Sequence, residues 1–213
     1  MFKREQDVKS HPVQVSDLLA GVERQPGASR TDVDALREFS PGVLPDDYLS
    51  FLLWSDGAEG YAGGGAYVRL WSAQDVIRFN RAYQIPDFIP GLLLVGTDAS
   101  VMGYGLDWRS NDVRCVDVEL AALDRDYVRD VAESFAELIR LLASDVLESG
   151  RPESHLPPDW LRGQVVHEKH PIVLGGPPND PANRVLVPVD QHPSLCVLNA
   201  QILREVRRQS GDC

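Results

Sequence analysis

Cysteine is scarce in this 213-residue chain: Cys115, Cys196 and Cys213 are odd in number and far apart. That argues against a disulfide framework and suits a reducing compartment, so a cytoplasmic location is expected. Long apolar runs are also missing, and none approaches the ~20 residues that a membrane span requires. Behind the basic residues of Met1-Phe2-Lys3-Arg4 there is no apolar stretch, so no secretory signal is expected. Gly63-Gly64-Gly65 is not followed by Gly-Lys-Ser/Thr and opens no helix, which sets aside a phosphate loop and leaves a hairpin or loop over 58–66. Positive charge is short as well. The net charge is −11, and it is unevenly placed. Residues 1–150 carry fourteen Lys/Arg against twenty-five Asp/Glu, whereas residues 151–213 carry seven of each. An acidic N-terminal part repels nucleic acid and membrane surfaces and attracts basic proteins. Plain solubility is the simpler reading of the same excess.

What is present starts with Leu44-Pro45-Asp46-Asp47-Tyr48-Leu49-Ser50-Phe51-Leu52-Leu53-Trp54-Ser55-Asp56-Gly57. Pro45 suits a first helical position, Asp46 and Asp47 complement the positive end of the helix dipole, and Gly57 can close the helix. Tyr48, Phe51, Leu52 and Ser55 share one face, so this is a core helix. Upstream, Val13, Val15, Leu18 and Leu19 make one short element. Thr31 or Asp32 caps a helix that reaches Phe39 on Val33, Leu36 and Phe39. Downstream, Tyr67–Trp71 alternates as a strand, and Ser72 with Asp75 begins a helix through Phe79. Pro86 to Pro90 reads as a loop. Strands are expected over Leu92–Val95, Val101–Leu106 and Val113–Val118, joined by short turns and therefore antiparallel. Ser134-Phe135-Ala136-Glu137 is a capping box opening a helix with Phe135, Leu138, Ile139, Leu142 and Val146 as its stripe. The fold class is therefore α+β, with helices packed on a mostly antiparallel sheet.

A proline-rich stretch over 151–162 separates residues 1–150 from a small module over 163–213. There, Val165-Val166 and Val185–Val187 read as strands on either side of Gly175-Gly176-Pro177-Pro178. A last helix carries Leu195, Leu198, Ile202 and Val206 at helical spacing, giving a ββα-like order.

Over residues 30–147, five motifs in order resemble the SUKH superfamily, which includes yeast cell-wall synthesis regulators and many bacterial immunity proteins. They are Leu44–Gly57, Leu70-Trp71-Ser72, Ile89-Pro90-Gly91 running into Leu94–Asp98, Tyr104–Asp107, and Ala132–Phe135. The resemblance implies a single-sheet α+β fold and a non-enzymatic protein that binds and neutralises a cognate toxin, often a nuclease. It carries over no catalytic residue. A basic, phosphate-binding toxin would be steered onto an acidic inhibitor. Asp98, Asp107, Asp112 and Asp117, in or beside the strands and turns, are the expected partner-binding carboxylates, with Trp108 as an interface anchor. Trp54 and Trp71 are assigned to the core.

The run Val166-His167-Glu168-Lys169-His170-Pro171 to Gly175-Gly176, then Asn183 and His192, resembles a degenerate HNH (ββα-metal) nuclease motif. Aligned on Pro171 and Gly175-Gly176, it puts His167 and His192 at metal-ligand positions and Asn183 at the orienting position. Glu168 then occupies the place of the general-base histidine. An exposed glutamate is a weak base at neutral pH. Cys196 lies nearby, but one cysteine is not a site. No cofactor is required by the binding reading; a divalent metal at His167 and His192 is the one this module would take. The expectations are thus a cytoplasmic immunity protein of a toxin–antitoxin pair, with no nucleic-acid or membrane partner. Two others stay open: a metal-dependent HNH-like nuclease carrying a regulatory or targeting domain, and a regulatory scaffold with no toxin.

Overall fold

The computed structural model describes residues 14–110, 112–144, 157–178 and 180–210. Nine strands and seven α-helices are formed among them. Seven strands make one antiparallel sheet in chain order: β1 (Glu23–Arg24), β2 (Ala58–Tyr61), β3 (Tyr67–Leu70), β4 (Leu92–Thr97), β5 (Met102–Asp107), β6 (Arg114–Glu119) and β7 (Val128–Ala132). Each strand pairs with the next, so the sheet is a meander, with helices inserted in the β1–β2 and β3–β4 connections. The α+β class read from the sequence is the observed one, and all ladders are antiparallel. β8 (Gln164–Glu168) and β9 (Arg184–Pro188) form a separate antiparallel hairpin, followed by α7 (His192–Ser210).

The sheet is anchored at β4, all six of whose residues are buried. A strand with both faces covered needs apolar residues at every position, and Leu92-Leu93-Leu94-Val95 supplies them. α4 (Ala73–Ala82) and the short α5 (Ile85–Phe88) pack on it. The joint is polar at one point. Asn80, 1% exposed, donates to the carbonyls of Val76 and Leu94 and accepts from the Leu94 N–H, where β4 bulges against β5. A buried amide with its donors and acceptor satisfied fixes the register of α4 on the sheet.

α3 (Asp46–Trp54) is the helix of the central motif. Tyr48, Phe51, Leu52 and Ser55 are buried as their spacing requires. Pro45 is the capping residue rather than the first helical one, and the helix ends at Trp54, so Gly57 (φ 96°) serves the turn into β2 instead. Asp47 does more than complement its own dipole: its carboxylate accepts the Ala136 N–H, 2.9 Å, in the first turn of α6 (Phe135–Ser144). Phe135 then packs on Tyr48 and Phe51 at ring-centroid distances of 5.0 and 5.2 Å. Ser134 accepts the Glu137 N–H as expected, while the Glu137 carboxylate reaches back to the N–H of Glu133. Val13 and Val146 lie outside the described residues, as does the first half of the 151–162 stretch.

Four further expectations need correction. α2 (Arg30–Phe39) is capped by Ser29, which accepts the Asp32 N–H, not by Thr31 or Asp32. The Pro86–Pro90 loop contains α5, because proline is tolerated in a first helical turn. β1 and β7 are additional strands on the two edges of the sheet. The stripe of α7 is reversed: Leu198, Ile202 and Val206 are exposed, and His192, Cys196, Val197, Ala200 and Leu203 are buried. Cys196, Val197 and Ala200 join the same core cluster as the sheet, so α7 lies on the body of the protein through α4. No helix among the described residues is long and apolar enough to cross a membrane.

Candidate partner-binding groove

Arg69 holds the region together. Glu59 and Arg69 are cross-strand partners on β2 and β3, where opposite charges attract. Arg69 is 7% exposed, and it donates to the Glu59 carboxylate from Nε (2.8 Å) and Nη2 (2.5 Å). Its remaining donors reach the carbonyls of Leu161 (3.1 Å) and Gln164 (3.0 Å). Tyr67 donates to the same carboxylate, 2.6 Å. One guanidinium therefore satisfies a carboxylate in the sheet and two backbone carbonyls of the C-terminal segment, a use of the fork that lysine cannot copy. Arg162, paired with Glu23 at 2.6 Å, and the Val166 N–H, donating to Ala99 at 3.1 Å, make further ties.

Between these elements runs a groove of about 750 Å³. Its walls are the Gln25–Gly27 segment, the start of α2, the Asp56–Glu59 turn and strand, the start of α4, and Arg162, Gly163 and Val189. Gly27 is needed where it is: a Cβ there would sit 2.0 Å from the Leu53 carbonyl oxygen. The close approach lets Ala28 donate to Leu52 and Asp56 to Pro26, which hangs this wall on the end of α3.

Five carboxylates line the groove: Glu23, Asp32, Asp56, Glu59 and Asp75. Local structure explains their placement. Asp32 and Asp75 each stand three residues after a capping serine, at the N-termini of α2 and α4, where negative charge is favoured. Asp56 accepts the Ala73 N–H, 2.7 Å, and so caps α4 from the neighbouring turn. Glu23, Glu59 and Asp75 are matched by Arg162, Arg69 and Arg78. Asp32 and Asp56 form no ion pair among the described residues. Asp32 accepts from Gln74 and from the Ser29 hydroxyl, and these bonds, Gln74 first, hold its carboxyl below the usual range. Burial raises that of Asp56; the Ala73 N–H opposes the rise, and the neighbouring Asp32 and Asp75 add to it. A cationic side chain entering here would relieve that repulsion and meet two carboxylates.

The carboxylates expected from sequence lie elsewhere and do not converge. Asp107 and Asp98 sit near opposite ends of β5. Asp107 is 4% exposed and ion-paired with Arg109. Asp117 is paired with Arg129 through two bonds, 2.7 and 2.8 Å. Asp98 accepts the N–H groups of Ser100 and Met102 in the β4–β5 turn, and burial raises its pKa to about 6. Asp112 is exposed on the β5–β6 turn. Trp108, on the same turn, is half-buried over Gly42 and donates to the Val43 carbonyl, 3.2 Å. Of the groove residues, Asp75 was legible, since Ser72-x-x-Asp75 is a capping signature; Ser29-x-x-Asp32 is one as well, although the cap was expected at Thr31 or Asp32, and that both helix starts face Asp56 is a tertiary fact.

In the C-terminal segment, His167 and His192 do approach each other, with ring centroids 5.2 Å apart. The rest of the HNH-like pattern is engaged in holding the loop. Asn183 exchanges two side-chain bonds with the His170 backbone, the Glu168 carboxylate accepts the Ile172 N–H, and His170 Nε2 contacts the Leu174 carbonyl. The basic residues of α7 are likewise occupied. Arg204 donates to Phe88, Arg207 pairs with Asp124 and Asp126, and Arg208 with Glu205.

Compared with known families, residues 27–141 match the model of the SMI1 / KNR4 family (SUKH-1), more than half of the chain. No curated protein matches the chain in sequence.

Proposed function

The chain belongs to the SMI1 / KNR4 family (SUKH-1), and from that premise we propose that it is an immunity protein that binds and neutralises a basic toxin. The observation that carries this reading is the groove with two carboxylates, Asp32 and Asp56, that form no ion pair among the described residues, although Arg69, Arg78 and Arg162 also line it. Both carboxylates lie in residues 1–150, which hold the whole negative excess, while Arg162, Gly163 and Val189 of the C-terminal segment form one wall. A lysine or arginine of a partner would make charge-assisted hydrogen bonds there, and the surrounding acidity would speed encounter. A nuclease is the toxin class this favours, because a phosphate-binding surface is basic. Inhibition then needs no chemistry from this chain, only occupancy of the toxin's basic site.

We place the groove as the primary contact, with Trp108 and Asp112 on the β5–β6 turn as a second one. Asp98, Asp107 and Asp117 sit with internal partners and contribute through the acidic field. We also propose that residues 1–150 form the binding domain and residues 163–213 an accessory module joined by 151–162. The protein acts in the compartment where its producer must be protected, which for a nuclease is the cytoplasm.

The experiment is affinity isolation of the tagged chain from its host's lysate at low and high salt, with Asp32→Asn/Asp56→Asn alongside. One stoichiometric basic protein, held by the parent and lost from the variant, is expected. Recovery of nucleic acid alone would overturn the proposal.

A further inference from the structure

Outside the groove, three metal-ligating side chains meet in the interior. His167 comes from β8, and His192 and Cys196 from successive turns of α7, where residues four apart share a face. They are 8%, 2% and 1% exposed, and one candidate ligand atom from each lies within 4.8 Å of the other two. Two imidazoles are an unusual filling for a core otherwise built mainly of aliphatic and aromatic side chains. Among the described residues, no hydrogen bond is made to the His167 ring.

The geometry points to a zinc site formed by His167, His192 and Cys196. The Nδ1 of His192 lies 2.7 Å from the Tyr83 hydroxyl, and the Cys196 sulfur lies 3.5 Å from its Nε2 and 3.8 Å from its Nδ1, beside the ring and not along the Nε2 lone pair, so the side chains must turn to share one ion. In the loaded site Nε2 binds the metal and Nδ1–H donates to the Tyr83 oxygen, so Tyr83 acts as a positioning residue. The metal must displace the Cys196 thiol proton and bind the thiolate.

The ligand set selects the metal. Imidazole and thiolate suit zinc and other borderline-soft ions, whereas magnesium, calcium and manganese require oxygen ligands. Three protein ligands leave a fourth position for water. The site would tie β8 and α7 to Tyr83 on the main body, closing the C-terminal ββα unit onto the sheet domain. This reading does not depend on the partner proposal.

The test uses the full chain, stripped with a chelator and titrated with Zn²⁺ against a chromophoric competitor, then with Co²⁺. One equivalent should bind, and the cobalt form should show d–d bands with a thiolate-to-cobalt charge-transfer band. Cys196→Ala should abolish that band and weaken binding by more than about 100-fold, and Tyr83→Phe should weaken it by about tenfold. If Cys196→Ala does not fold, Cys196→Ser, which also lacks the thiolate, replaces it. Zinc should also slow amide exchange in β8 and the first turns of α7, leaving α2 unchanged. Failure of the chain to bind either ion, or a charge-transfer band that survives loss of Cys196, would overturn the proposal.

Discussion

Replacing Arg69 by methionine tests the junction most severely, because methionine keeps much of the apolar stem and removes every donor. Four bonds vanish, two to the Glu59 carboxylate and two to the carbonyls of Leu161 and Gln164. Glu59 keeps only the Tyr67 hydroxyl among the bonds described for its carboxylate, and its side chain is 27% exposed, so water partly replaces the lost cation. Breaking a buried pair from one side destabilises by roughly 3–5 kcal/mol. Partial solvation of Glu59 lowers that, and two orphaned carbonyls raise it by about 1–3 kcal/mol each unless water reaches them. A loss of about 3–5 kcal/mol in urea denaturation follows, since the opposing corrections are of similar size. The loss should be local in onset. Hydrogen exchange should accelerate first at Leu161–Glu168, while α3 and β4 keep their protection until global unfolding. A loss below about 1 kcal/mol, within the range of an exposed pair, would refute the assignment of Arg69 as the junction.

Asp98→Asn probes the β4–β5 turn through pH. Burial raises the carboxyl pKa from 3.8 to about 6, so its contribution is complete below the unfolded value and is lost as pH rises through 6. The variant, which can still accept from Ser100 and Met102, should be more stable than the parent above pH 6 by at most about 3 kcal/mol, with the gap closing toward pH 4 in paired denaturation curves. Gly42→Ala places a Cβ 2.4 Å from the Trp108 ring, so the indole must leave the Val43 carbonyl. The Trp108 indole N–H resonance should shift upfield, with a stability loss of about 1 kcal/mol. Asn80→Leu fills similar space and leaves the Leu94 N–H and carbonyl unsatisfied in the core, so a loss of about 2–4 kcal/mol is expected in thermal or urea unfolding.

The elements legible in the sequence were those whose signals are local. α3, α4 and α6 carry apolar periodicity and a capping residue within one turn, and β4 to β6 are apolar runs between turn residues. β7 was not legible because an edge strand with Arg129 and Asp130 facing outward alternates too weakly. β1 has two residues and exists only because β2 offers it an edge. α7 shows a different failure. Its large aliphatic residues, Leu198, Ile202 and Val206, form the more hydrophobic stripe, yet the buried face is built from His192, Cys196, Val197 and Ala200. Small residues permit close approach to α4, and polar ligands are buried where they meet one another, neither of which a hydropathy pattern weighs. Cys196 looked solitary because only His192 stands near it in sequence, one turn earlier on α7, while His167 is brought to it by the hairpin.

The groove was half visible. Capping chemistry marks Asp75, and Asp32 was marked only as a possible cap in place of Ser29, while nothing adjacent in sequence brings Asp56 between them. The proposed partner-binding role rests on resemblance, through motifs that lie within the matched residues 27–141.

The most direct measurement of the central claim is growth of cells that express the isolated basic partner together with this protein. The account predicts that the parent chain restores growth and that Asp32→Asn/Asp56→Asn, still folded by circular dichroism, fails to do so at equal expression. A partner that is harmless alone, or full protection by the doubly substituted chain, would contradict it.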